Sequence, residues 1–205
     1  FFRQEFAIPI DKFGEQDRKE HLRKILYPFI LRRTKEQVAK DLPEKQEMIL
    51  WCEMEDEQRK IYDAYRNDFR DKILGTIQEQ GIQRSQLTIL QGLMKLRQIC
   101  DSPAILNEEE KFENHSIKLE ELAREITENI SNHKALIFSQ FLGMLSLIKE
   151  KLNALGVKYE YFDGSTSAPD REVAIQSFQN DESVRVFLIS LKAGGVGLNL
   201  TAADY

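Results

Sequence analysis

Val184-Arg185-Val186-Phe187-Leu188-Ile189-Ser190 runs directly into Leu191-Lys192-Ala193-Gly194-Gly195-Val196-Gly197. The first seven residues read as a buried β-strand, and the glycines after it let a backbone turn sharply and approach other atoms without a Cβ in the way. Upstream, Ser167 with Asp170 three residues later forms a capping-box pattern that opens a helix through Phe178. Val157 to Phe162 reads as another strand. Leu142, Leu145, Ile148, Leu152 and Leu155 make a helical stripe closed by Gly156, and Ala135-Leu136-Ile137-Phe138 is an apolar run suited to a strand covered on both faces. Leu119, Leu122, Ile126 and Ile130 mark one more helix. Strand–helix alternation at this spacing implies right-handed crossovers and a parallel, helix-covered sheet.

Before this region, from Gln16 to Leu106, the rhythm is mostly helical. Ile61, Tyr65, Phe69, Ile73 and Ile77 recur every four residues, with Gly81 as the stop. In the following helix Leu87, Leu90 and Met94 mark one face, and Ile89, Leu93, Leu96 and Cys100 another, the pattern of a helix sandwiched between neighbours. Pro103 limits it. Gln46 to Trp51, after Leu42-Pro43, reads as a short strand or an extended connector. The polar, acidic stretch 107–114 reads as an exposed loop, so the chain divides near residue 113 into a mostly helical region, 1–112, and an α/β region, 113–205.

Composition narrows the classes without choosing among them. Of the 205 residues 41% are hydrophobic and 31% charged, as in an ordinary soluble globular protein, and no run approaches the ~18 apolar residues of a membrane span. A net charge of −5 argues against a surface coated in basic residues, yet leaves room for a local cationic strip, because phosphate binding acts over about 8–10 Å. Cys52 and Cys100 lie far apart and, with three scattered histidines, offer no zinc-ligand spacing. They read as buried, reduced thiols of an intracellular protein. Asp56-Glu57-Gln58 mimics an acidic metal-binding motif but reads as a helix start, where acids suit the positive end of the macrodipole.

Ligands of open α/β sheets gather at the carboxyl ends of the strands, and three polar segments stand there. Ser139-Gln140-Phe141 offers a hydroxyl and an amide to a phosphate, or simple helix capping. Phe162-Asp163-Gly164-Ser165-Thr166-Ser167 offers two hydroxyls after a tight turn, or only the turn and a cap. The segment from Ser190 to Asp204 offers a cradle of N–H groups with Lys192 as a point charge. It lacks both the G-x-G-x-x-G spacing of dinucleotide folds and the Gly-Lys-Ser/Thr of a nucleotide phosphate loop.

In order along the chain, these segments resemble the C-terminal motor lobe of SWI/SNF-type ATPases, a branch of helicase superfamily two. The resemblance rests on Pro28-Phe29-Ile30-Leu31-Arg32-Arg33-Thr34-Lys35 with Leu42-Pro43-Glu44-Lys45 and Gln58-Arg59-Lys60-Ile61-Tyr62; on Leu96-Arg97-Gln98-Ile99-Cys100; on Lys118-Leu119; and on Lys134 to Phe141, Tyr161 to Thr166 with Arg171, and Ser190 to Asp204, which are similar to the family's successive lobe-two motifs. It implies a truncated RecA-like lobe over 113–205, incomplete at its C-terminal end, preceded over 1–112 by a helical brace and a protrusion-like region. It also implies an ATP-dependent translocase on double-stranded DNA. Ser139, Gln140, Ser165, Thr166, Ser190, Lys192, Gly194 and Gly195 would face DNA phosphates, while Gly197, Asn199 and Thr201 would couple grip to nucleotide state. Arg32 and Arg33, with Lys35, would belong to the brace beside the DNA, or form a solvated helix face.

The same resemblance implies that ATP and Mg serve the full-length enzyme. The phosphate loop and acidic magnesium motif would precede residue 1 and the arginine motif would follow Tyr205, so this stretch, read as a fragment, holds no catalytic or metal-binding residue and is expected to be inactive alone. Expected partners are duplex DNA, the N-terminal motor lobe of the same chain, and RNA polymerase or another DNA-bound protein; no membrane is expected. Asp101-Ser102-Pro103 stands where the family often has Asn-His-Pro, which suggests a bacterial member, placed in the cytoplasm at the nucleoid, or in the nucleus were the source eukaryotic. The alternatives are a lobe of an unwinding RNA or DNA helicase, and a non-catalytic nucleotide- or protein-binding module.

Overall fold

The computed structural model describes residues 1–38, 45–80, 82–106, 111–130, 132–194 and 198–205, which fall into two compact units, Phe1–Ile49 and Leu50–Tyr205. Leu42-Pro43, Gly81 and the expected loop at 107–110 lie outside the described residues.

In the first unit a π-helical turn, Arg3–Ala7, runs into α1 (Ile8–Phe13), with Pro9 in its first turn and Gly14 ending it at φ 66°. Then come α2 (Gln16–Leu26), a 3₁₀ turn at Tyr27–Phe29 and a four-residue helix, α3 (Lys35–Val38). Helix thus begins well before Gln16. Among the unit's described residues one side chain is buried, the ring of Phe6, against Phe1, Phe2 and His21.

Residues 45–55, the last of the first unit and the first of the second, hold no helix or strand, so Gln46 to Trp51 is a connector and not a strand. Asp56 starts α4 (Asp56–Gln80), as its acidic first turn suggested. Helix α5 (Ile82–Asp101) packs along α4, with Gly92 letting the helices meet: a Cβ there would lie 2.9 Å from a ring carbon of Phe69. Leu87, Leu90, Leu93 and Met94 stay about half or more exposed, so within this unit α5 is covered on one side instead of two.

Gln58, 1% exposed, ties the α4/α5 hairpin to the next helix. Its amide N–H donates to the Ile99 carbonyl at 2.8 Å, and its amide oxygen receives the Ile117 N–H at 3.4 Å. Four residues beyond Ile99 stands Pro103, which has no N–H to give to that carbonyl, so Gln58 supplies the missing donor. Ser116 caps α6 (Ile117–Glu128) by accepting the Leu119 N–H.

Beyond α6 the chain alternates as its pattern requires: β1 (Ala135–Ser139), α7 (Leu142–Ala154), β2 (Lys158–Phe162), α8 (Ala168–Asn180) and β3 (Val184–Ser190). The strands form one parallel sheet in the order β1-β3-β2, with Ser139 opposite Ser190 and Phe162 opposite Ile189. Central β3 is buried on both faces by its own alternation: Val186 and Leu188 pack into the α6/α7 layer, Phe187 and Ile189 into the α8 layer. All four are fully buried, each contributing about 1.5–3 kcal/mol of transfer free energy. Ser167 caps α8 through the Asp170 N–H, so the capping pattern is realised. The outer edge of β1 is also paired: Tyr205 donates to the Lys134 carbonyl at 3.2 Å and accepts from the Leu136 N–H at 3.0 Å, a parallel-ladder pattern.

Candidate nucleic-acid interface

Because all three strands are parallel, the turns after β1, β2 and β3 emerge at the same edge of the sheet. Two of them are joined directly, since the Leu191 N–H donates to the Ser139 carbonyl at 2.9 Å. The sequence therefore brings Ser139, Gln140, Ser165, Thr166, Ser190, Lys192 and Gly194 to one margin of the fold.

Their hydrogen bonds sort them. Ser139 Oγ receives the Phe141 N–H at 3.2 Å, closing the turn into α7. In the second turn Asp163 is the hub: its carboxylate accepts the Ser165 hydroxyl at 2.6 Å, the Ser165 N–H at 2.8 Å and the Tyr161 hydroxyl at 2.6 Å, while Thr166 Oγ1 receives the Asp163 N–H at 3.0 Å. In the third, Ser190 is buried and its carbonyl accepts both the Ala193 and the Gly194 N–H at 2.9 Å. A side chain at Gly194 would collide with β-sheet neighbours, its Cβ lying 2.9 Å from Ile189 Cγ2 and 3.0 Å from Phe138 Cε1.

Each turn also keeps at least one backbone N–H uncommitted. Among the described residues the amides of Gln140, Gly164 and Lys192, all exposed, donate to no protein acceptor. The side chains of Gln140 and Lys192 are likewise without protein partners among the described residues. Free amides at one sheet edge, with one ammonium beside them, suit an acceptor-rich anionic chain better than a cation.

Electrostatics fix the second turn. The Ser165 hydroxyl first, then the Tyr161 hydroxyl and the Ser165 N–H, hold the Asp163 carboxyl down to about 2. Burial, then the bond to Asp163, pushes the Tyr161 phenol up to about 12. Lys149 lies 4.2 Å from the centre of the Tyr161 ring, and the Arg171 guanidinium 4.9 Å from that of Phe162. The Ser165 hydroxyl is thus spent internally, which its place in the sequence did not reveal.

The remaining candidates lie elsewhere. The Asn199 carbonyl accepts from the Gln179 amide at 2.8 Å, and Thr201 Oγ1 lies 3.4 Å from the same nitrogen. Gln179 is in the last turn of α8, toward the amino edge of the sheet, away from the three turns. Arg32 and Arg33 are exposed in the first unit. Gly195 and Gly197 lie outside the described residues. Cys52 and Cys100 are free and half-buried instead of buried, and no cluster of metal-binding side chains occurs among the described residues. Sequence reasoning assigned no separate role to Tyr161, whose hydroxyl donates to Asp163, or to Arg97 and Lys118, which line a cleft of about 440 Å³ together with Ser139 and Gln140.

Residues 1–105 match the SNF2-related domain and residues 117–205 the helicase conserved C-terminal domain. YwqA of Bacillus subtilis, named as an ATP-dependent helicase/translocase, is 37% identical over 211 residues, spanning all of this chain and 22% of that protein. The mouse chromodomain-helicase-DNA-binding protein 1-like is 37% identical over 199 residues, 93% of this chain and 21% of its own length. The chain thus spans about a fifth of such relatives. Among solved structures, the Sulfolobus solfataricus SWI2/SNF2 ATPase core in complex with dsDNA superposes with a TM-score of 0.69 at 35% identity, over 99% of this chain and 43% of that one. The C-terminal domain of the Sulfolobus SWI2/SNF2 ATPase gives 0.64 at 31% identity, over 75% and 67%.

Proposed function

Because this chain belongs to the SNF2-related helicase family, with a helicase conserved C-terminal domain, we propose that it is the DNA-gripping second lobe of an ATP-dependent motor that moves along duplex DNA. The observation that carries this reading is the single sheet edge at which each of three turns presents an unspent backbone N–H, with Lys192 beside them. Amides and ammonium groups recognise phosphate without reading bases, so binding is sequence-tolerant and falls steeply with salt.

Residues 113–205 form the motor lobe in this proposal and residues 1–112 the brace and protrusion, with Arg32 and Arg33 beside the DNA. Gly197, Asn199 and Thr201 link DNA grip to nucleotide state. ATP and Mg²⁺ belong to the full-length enzyme. The residues present here do not fit them unaided, since the chain has no Gly-Lys-Ser/Thr loop and no carboxylate cluster among the described residues. Duplex DNA, the N-terminal motor lobe and a DNA-bound protein such as RNA polymerase are the proposed partners, in the bacterial cytoplasm at the nucleoid. No helix among the described residues is long and apolar enough to cross a membrane.

The test is Lys192→Ala in the full-length protein. DNA-stimulated ATP hydrolysis should weaken, and the log–log slope of duplex binding against salt should fall by about one, the share of one phosphate contact. An unchanged slope would remove Lys192 from the interface. Strand-displacement assays separate translocation from unwinding: the proposal expects movement along duplex without strand release.

A further inference from the structure

The cleft beside the first turn has a second wall outside the three turns. It is built by the last turn of α5 and the start of α6, which bring Arg97, Asp101 and Lys118 into the lining of a space of about 440 Å³ together with Ser139, Gln140 and Leu191. The two cations on that wall are not equivalent. Lys118 Nζ is 2.8 Å from Asp101 Oδ1, so its charge is largely matched. Arg97 is exposed and, among the described residues, forms no ion pair; its guanidinium lies 5.9 Å from the centre of the Phe141 ring, which limits where it can point. The same cleft is lined by Gln140, whose N–H is unspent. The floor includes Phe138 and Leu191, 45% and 53% exposed at the strand ends, an apolar surface of the kind a sugar ring covers.

A guanidinium, a free amide and a carboxamide around an open cleft with an apolar floor match one sugar–phosphate unit. We infer that this cleft holds a backbone phosphate of the bound duplex between Arg97 and Gln140, which extends the groove beyond the three turns onto helix α5. The inference rests on the nucleic-acid reading above and deepens it. It also gives the α4/α5 hairpin a direct part in binding.

The experiment is a salt series of duplex binding by the full-length protein, using a short duplex of mixed sequence and comparing R97A, D101N and K192A with the unaltered protein. A phosphate contact at Arg97 lowers the log–log salt slope by about 0.9 in R97A. D101N releases Lys118 from its carboxylate and adds one net positive charge to the same wall, so its slope steepens. Because D101N leaves Arg97 in place, it keeps the inference testable should R97A fold poorly. An R97A slope equal to that of the unaltered protein, or a D101N slope no steeper, overturns the inference. If K192A lowers the slope while R97A does not, the three-turn groove stands and the cleft is excluded from it. If neither changes, both readings fall.

Discussion

Lys192 and Ser165 look alike in the sequence, as polar residues in turns beyond strands, yet the structure gives them opposite situations. Lys192 is exposed and unpaired among the described residues, whereas Ser165 commits its hydroxyl and its N–H to Asp163. Side-chain commitments of this kind depend on how a turn closes, and a one-dimensional pattern carries no trace of that. The Asp163 network has a pH consequence. Its donors depress the carboxyl, so the stabilisation is present above the usual carboxylate range and is lost as pH falls through about 2. Ser165→Ala removes the largest cause, and the Asp163 midpoint, followed by carboxyl-carbon NMR, should rise toward the ordinary value. A midpoint that stays near 2 would show that Tyr161 and the backbone suffice. Gly194 is also legible only in three dimensions: Gly194→Ala presses a Cβ against Ile189 and Phe138 and should cost about 1–3 kcal/mol in denaturant unfolding. A loss below a few tenths would show that those side chains give way freely.

At the scale of elements, the sequence announced what its periodicity could express. The apolar runs at 135–138 and 184–190 are strands, the Ser167/Asp170 pattern caps α8, and Asp56 opens α4, because each is a local matter of burial or capping. Two features escaped. Helix begins before Gln16 because Pro9 and Gly14 punctuate a segment too short to show a stripe. The two apolar faces of α5 suggested two neighbours, but a sequence shows which residues are apolar and not what covers them; Leu87, Leu90 and Met94 remain exposed within their unit. The join between hairpin and lobe was hidden as well. Gln58 answers a carbonyl left without a helical donor by Pro103, a partnership 41 residues apart in the chain. Gln58→Ala leaves that carbonyl and the Ile117 N–H unpaired and should cost about 2–4 kcal/mol. Thermal unfolding that matched the unaltered protein would mean that water replaces the side chain at no cost.

For the whole molecule, net charge said little, because −5 is a sum while DNA binding is local. Direction carries more. The helical crossovers through α7 and α8 leave every strand pointing the same way, so turns far apart in sequence share an edge. The central claim is that this edge holds one continuous sugar–phosphate chain. Amide hydrogen exchange in the full-length protein, with and without duplex DNA, tests it most directly. The amides of Gln140, Gly164 and Lys192 should slow together, at one common DNA concentration and reversibly with added salt. Exchange that slows at one turn while the other two stay unprotected on saturated DNA would contradict the claim.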